Sequence, residues 1–404
     1  MSRKTFFDVI VIGVGSMGSA TCYYLAKRGY KVLGLEQFDI SHEFGSHAGQ
    51  SRIIRKAYFE HSDYVPLLER AYENWKTLEQ ETGEQLYFKT GLLYAGTLNN
   101  EMIKGVKQSA ALYNIELENV NLADAADRFR QFKFPENFEV LFEPEAGFIP
   151  PEKAIRLYAS QAEKNGAVIH TDEKVMEWSA NRQTPSEKKD GQSVVVKTNK
   201  NTYHCNKLII TAGAWAGKMI PGFTDKIKVT RQFVAWIKPK NVRQPADSFG
   251  EKQFALNSFP CWMISDDEKH GCYYGFPLLD TKKFGEPAGL KLAHHFPNGA
   301  TDPDKVNRQT TKEDIENLNY CLDKYLPGVF DAVLSTKICL YANSPDENFI
   351  IDELPGFEKA VSIACGFSGH GFKFASVVGE ILADLAIEGK TGLPIEFLNA
   401  KRFV

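Results

Sequence analysis

The sequence predicts an α/β nucleotide-binding domain of the doubly wound, Rossmann-like kind, joined to a second, sheet-rich α+β domain. Three observations carry that prediction. Residues 6–12, FFDVIVI, form an apolar run with only Asp8 polar, as in a central parallel strand buried on both faces. Gly13, Gly15 and Gly18 follow at once as GxGxxG, ahead of a helical stretch that closes on Lys27, Arg28 and Gly29. At 404 residues the chain also exceeds the usual size of one domain, so a second unit is expected.

Each part of the first unit has a physical task. Gly13 permits a tight turn, Gly15 lets backbone N–H groups approach a pyrophosphate at the helix N-terminus, and Gly18 lets helix and strand pack closely. Ser16 and Met17 open that helix and join the expected cofactor contacts. A second strand, KVLGLE, delivers Glu36 to accept hydrogen bonds from an adenosine ribose. A structural turn without a ligand is the alternative, and the strand–turn–helix–strand–acid order argues against it.

Further along, Leu67, Leu68, Ala71, Trp75 and Leu78 recur near helical spacing, which predicts a helix with one buried face within 58–80. Residues 182–192, RQTPSEKKDGQ, read as a hairpin tip. CNKLIITAGAWA at 205–216 is an apolar strand running into Thr211, Ala212 and Gly213. It looks like the strand that returns to the first domain in many FAD enzymes, and it favours FAD over NAD. Residues 301–314 form a polar connector before a helix to about Tyr325. The nucleotide-binding domain is assigned to 1–90, 150–223 and 326–404, and the substrate domain to 91–149 and 224–325.

Composition narrows the partners. With 48 basic and 51 acidic residues the net charge is −3, which gives no electrostatic reason to expect nucleic acid or an anionic membrane. Seven cysteines lie at 22, 205, 261, 272, 321, 339 and 365 without a CxxC pair, so neither a disulfide framework nor a metal site is expected. A reducing, cytoplasmic setting fits. Asp8 interrupts the N-terminal apolar run, and no segment nears the roughly 18 uninterrupted apolar residues of a membrane span. The expected partner is a small molecule.

The motifs GSHAGQSRIIRKAY (45–58), YYGFP and GLKLAHH (within 273–295), CLYANSPDENFIID (339–352) and GFSGHGFKFASVVGE (366–380) together resemble the monomeric sarcosine oxidase family, which includes N-methyltryptophan and pipecolate oxidases. The resemblance runs over essentially the whole chain. It implies a monomeric FAD oxidase that oxidises secondary amino acids at the carbon–nitrogen bond and passes electrons to dioxygen, giving hydrogen peroxide. Sarcosine is the first substrate expected; N-methyltryptophan, pipecolate or proline, or a dehydrogenase with another acceptor, stay open.

The resemblance also assigns residues. Cys339 matches the cysteine that carries the flavin covalently, as a thiolate nucleophile can. Arg55 and Lys373 match the cations that hold the substrate carboxylate. Arg52 is expected against the flavin ring, and Lys291 where a fixed cation promotes the reaction with dioxygen. In a strand, Lys291 and His295 share a face, so both can reach one cavity, while His294 has the opposite parity and reads as structural. His295 and Tyr274 are assigned to the catalytic pocket, and Tyr341, Met263, His370 and Gly369 to the substrate. Ser46, Val175, Gly213, Gly369, Gly371 and Lys373 complete the expected FAD contacts. The helix after Phe374 is expected to direct its positive end toward the flavin pyrimidine. Ala48 and Gln50 depart from the family's GSHHGD, which leaves the substrate's side chain open.

Overall fold

The computed structural model describes residues 5–180, 194–240, 252–295 and 299–403. A mixed sheet lies at the centre of the first unit. The strand Phe6–Ile12 runs parallel to Val32–Leu35 on one side and to Thr202–Ile210 on the other, and Val361–Cys365 adds to Thr202–Ile210, also in parallel. These strands are almost wholly apolar because both faces of the sheet are buried. The helices Ser16–Lys27, Pro151–Lys164 and Ala375–Glu388 pack together over one face, with Leu25, Tyr158, Val378 and Leu382 buried between them.

The expected amphipathic helix is Val65–Thr82, which buries Leu67, Leu68, Ala71, Trp75 and Leu78 and ends on Gly83 in the left-handed conformation. The helix Lys312–Tyr325 follows the polar connector, its start fixed by reciprocal hydrogen bonds between Thr311 and Asp314. The hairpin tip expected at 182–192 lies outside the described residues, although the flanking strands Val175–Ser179 and Val194–Thr198 pair antiparallel.

The second sheet has eight strands, ordered Phe330–Asn343, Lys228–Pro239, Leu290–His295, Lys269–Gly275, Cys261–Asp266, Leu92–Thr97, Phe138–Glu143 and Glu118–Val120. This corrects one expected boundary. Residues 326–343 were assigned with the nucleotide-binding segment, but Phe330–Asn343 pairs along its whole length with Lys228–Pro239 at the edge of the second sheet. The segment returns to the first sheet only with Ile350–Glu353 and Val361–Cys365. An apolar run before a turn looks the same whichever sheet takes it, so the sequence could not locate the crossing.

Register decides which side chains this sheet presents together. Directly opposed residues of antiparallel strands share a face. Met263 lies opposite Tyr274, Tyr274 opposite Ala293, Ala293 opposite Val234, and Gln232 opposite Cys339. Alternation along each strand adds Lys291, His295, Trp236 and Tyr341 to that face. A small third sheet joins Arg52–Ile54, Gly147–Ile149 and Phe88–Lys89, and brings Arg52 up to the same place.

Candidate active site

The larger of two adjoining cavities, about 300 Å³, opens at the carboxyl ends of four parallel strands, where the loops after Ile12, Leu35, Ile210 and Cys365 converge. Of the expected cofactor residues, Gly13, Gly15, Ser16, Met17, Glu36, Ser46, Arg52, Val175, Gly213, Gly369 and Gly371 line it. Gly18 does not, because it serves packing: a Cβ there would lie 1.9 Å from the Gly13 carbonyl oxygen. Gly13 has φ +86°, and its own Cβ would sit 2.6 Å from Thr211 O, so the turn requires glycine twice over.

A dinucleotide fits this cradle. Nothing lies within 4 Å of a Cβ built on Gly15, which leaves the helix N-terminus open to a phosphate. Glu36 accepts hydrogen bonds from Val14 N at 2.9 Å and Phe38 N at 3.1 Å, as an acid fixed for a ribose must be. Burial pushes its carboxyl up to about 7 in spite of those N–H groups. His47 lines the same cavity with Nε2 buried and without a hydrogen-bond partner, which suits a polar ligand.

The smaller cavity, about 70 Å³, shares Arg52, Tyr341, Gly369 and Phe372 with the larger one. It brings together Arg52, Arg55, Met263, Tyr274, His295, Cys339, Tyr341, Gly369, His370 and Lys373, which the chain spreads from 52 to 373. Arg55 is 2% exposed and donates to Glu60 Oε1 at 2.6 Å and Oε2 at 2.7 Å, with its guanidinium 4.2 Å from the Tyr58 ring centroid. Burial raises the Glu60 carboxyl, but Arg55 beside it, with His370 and Lys373, more than offsets this and holds it down at about 2. Lys373 donates to His370 O at 2.7 Å; burial first, and Arg55 second, bring its ammonium down to about 7. The cavity thus carries three basic groups, Arg52, Arg55 and Lys373, against one buried carboxylate, Glu60.

Gly369 positions these groups. It has φ +81°, and a Cβ there would lie 2.3 Å from the Tyr341 ring, so only glycine lets the loop cross that close to the sheet. His370 lines the cavity, yet both its ring nitrogens are engaged, Nδ1 by the Tyr58 hydroxyl at 2.5 Å and Nε2 by Glu347 O at 3.1 Å. It forms wall there and offers no free ring nitrogen to a substrate. His295 Nδ1 meets the Tyr341 hydroxyl at 3.0 Å, and burial keeps the imidazole neutral by bringing it down to about 4. His294, as expected from parity, turns away and stacks on Tyr273 at 4.2 Å.

Arg52 is tied down by Ser51 O at 2.8 Å, Ser46 O at 2.9 Å and Ala48 O at 2.6 Å, which leaves its guanidinium 3.8 Å from Cys339 Sγ. Lys291 lines neither cavity. Its ammonium lies beneath the 49–51 turn, donating to Gly49 O at 2.5 Å and Ser51 O at 2.6 Å, and burial with Arg52 nearby holds it well below the usual lysine range. That turn is itself fixed by Glu152, which accepts from Gly49 N at 2.6 Å and Gln50 N at 3.1 Å.

Sequence reasoning missed Glu60, Glu152 and Gln232. Glu60 follows Arg55 by five residues and could have been suspected as its partner. Glu152 and Gln232 carry no local signal, since only helix placement and strand register bring them in.

The FAD dependent oxidoreductase family matches residues 8–385. The chain is 37% identical to monomeric sarcosine oxidase of Bacillus sp. (strain NS-129), covering 99% of this chain and 97% of that one. It is 34% identical to N-methyl-L-tryptophan oxidase of Salmonella enteritidis PT4 (strain P125109), covering 95% of each. Among solved structures, the open form of NikD, an amino acid oxidase of nikkomycin biosynthesis, superposes with a TM-score of 0.80 at 21% identity over 98% of this chain and 97% of that one, a likeness of fold.

Proposed function

The chain belongs to the FAD dependent oxidoreductase family, and on that premise we propose that it is a flavoprotein oxidase of N-methyl amino acids, sarcosine first among them. One observation carries the proposal. A small cavity with Arg55 and Lys373 at its wall adjoins the dinucleotide cradle at Arg52, Tyr341 and Gly369.

Bound FAD supplies a two-electron acceptor that dioxygen re-oxidises to release hydrogen peroxide. The chain's own residues hold and orient the substrate. Arg55 and Lys373 take the carboxylate, and two cations limit its rotation. His295, neutral at physiological pH, and Tyr341 fix the polar wall without imposing a charge on the amine. The N-methyl carbon loses two electrons and a proton's equivalent as hydride; water adds to the resulting imine, and glycine and formaldehyde leave. Sarcosine, dioxygen and water balance glycine, formaldehyde and hydrogen peroxide.

Size supports sarcosine over the bulkier alternatives. The smaller cavity's volume, about 70 Å³, suits a small amino acid. Cys339 is the reading's covalent attachment point: Sγ is buried, donates to Ala48 O at 3.2 Å, and lies 3.8 Å from the Arg52 guanidinium. Lys291 is assigned to the reaction with dioxygen, its Nζ held in place by Gly49 O and Ser51 O. The substrate domain is read as 91–149 with 224–343, the remainder binding FAD. Seven free, buried cysteines support a reducing, cytoplasmic setting, and the names of the bacterial relatives support a monomer. Among the described residues no helix is long and apolar enough to cross a membrane.

Product analysis tests the proposal. Sarcosine should yield formaldehyde, glycine and peroxide in equal amounts, with turnover well above that on N-methyltryptophan. Peroxide without formaldehyde, or faster turnover of the indole substrate, would contradict it.

A further inference from the structure

Gln232 is a buried polar side chain that the chemistry above leaves unused. It is 2% exposed, stands directly opposite Cys339 on the strand Lys228–Pro239, and lines the smaller cavity. One end of its amide is anchored: Nε2 donates to Thr230 Oγ1 at 3.0 Å, and Asn343 Nδ2 holds that same hydroxyl at 3.0 Å while donating to Lys228 O at 2.9 Å. The other end, Oε1, is buried with no hydrogen-bond partner. Native interiors rarely leave a carbonyl oxygen in that state, so an occupant of the cavity is the natural source of the missing donor.

We propose that Gln232 Oε1 accepts the N–H of the bound secondary amine, orienting the nitrogen and selecting substrates that carry an N–H. The assignment rests on reading the cavity as a secondary amino acid site. Arg55, and Lys373 once protonated against the carboxylate, cannot accept an N–H; Glu60 has both oxygens paired with Arg55, His370 has both ring nitrogens engaged, and His295 Nδ1 is committed to Tyr341. A neutral amide is also the right kind of acceptor. A carboxylate at this position would favour the ammonium form, which cannot transfer hydride, whereas an amide gives direction without charge. The anchoring chain from Lys228 through Asn343 and Thr230 fixes the plane of that amide before any substrate arrives.

The experiment compares two ligands on the flavin-loaded protein. Sarcosine affinity comes from the concentration dependence of anaerobic flavin reduction. Methylthioacetate, which keeps the carboxylate and methyl group but has no N–H, is titrated by its perturbation of the flavin spectrum. In Gln232→Leu the sarcosine constant should weaken on the order of tenfold, the loss of one hydrogen bond, with methylthioacetate held within about twofold. Flavin content and melting temperature report folding, and Gln232→Met, which keeps the chain length, serves if the leucine variant does not retain flavin. Equal weakening of both ligands, or of neither, overturns the assignment while leaving the oxidase reading intact. Wild-type protein that sarcosine fails to reduce removes the oxidase reading, and this assignment with it.

Discussion

At the scale of residues, the site is a balance between burial and charge. Lys373 shows it most directly, because desolvation and Arg55 bring its ammonium to about 7, well below the ordinary 10.5. Above pH 7 the free protein holds Lys373 largely neutral, and an anionic ligand favours the charged form, so binding must take up a proton there. Affinity for methylthioacetate, which has no titrating amine, should therefore be flat below pH 7 and fall as pH rises above it. In Lys373→Met the same titration should be weaker and should lose that dependence. A parallel fall in the variant would assign the effect to another group. Cys339→Ala should release its flavin on denaturation, where the wild-type protein retains it; flavin that stays attached would move the bond to another residue. Lys291→Met should slow re-oxidation by dioxygen about a hundredfold while leaving anaerobic reduction far less affected. Equal effects on both would remove Lys291 from the oxygen reaction.

At the scale of elements, the loop from Gly366 to Phe372 and the edge strand Phe330–Asn343 do the positioning. Gly369→Ala puts a methyl group into the Tyr341 ring and strains a backbone at φ +81°, and should cost about 1–3 kcal/mol of stability together with most of the bound flavin. A variant with normal flavin content would show that the loop has room that the structure does not give it. Legibility divides at this scale. The fingerprint Gly13–Gly18, the strand Phe6–Ile12 and the helix Val65–Thr82 were readable because local period and turn chemistry determine them. The strand carrying Cys339 lies in the segment grouped with the nucleotide-binding domain yet pairs with Lys228–Pro239, because partner choice is a tertiary property. Gln232 stayed invisible for the same reason: its place opposite Cys339 exists only in the register of two strands a hundred residues apart in sequence.

At the scale of the whole molecule, two sheets from separate stretches of chain meet along one seam, and the site lies in it. The parallel sheet contributes loops at its carboxyl edge, which suit phosphates and a ribose. The second sheet contributes one face of side chains, and the C-terminal loop closes back between them with Gly369 and Lys373. Neither sheet alone holds both a dinucleotide and a carboxylate, so the chain's repeated crossing between them is what makes an oxidase of it. Anaerobic addition of sarcosine to the purified yellow protein tests this most directly. The account predicts bleaching of the flavin absorbance, followed on admission of air by return of the colour with one equivalent of peroxide. A flavin that keeps its colour with sarcosine, or one that bleaches and stays bleached in air, would contradict it.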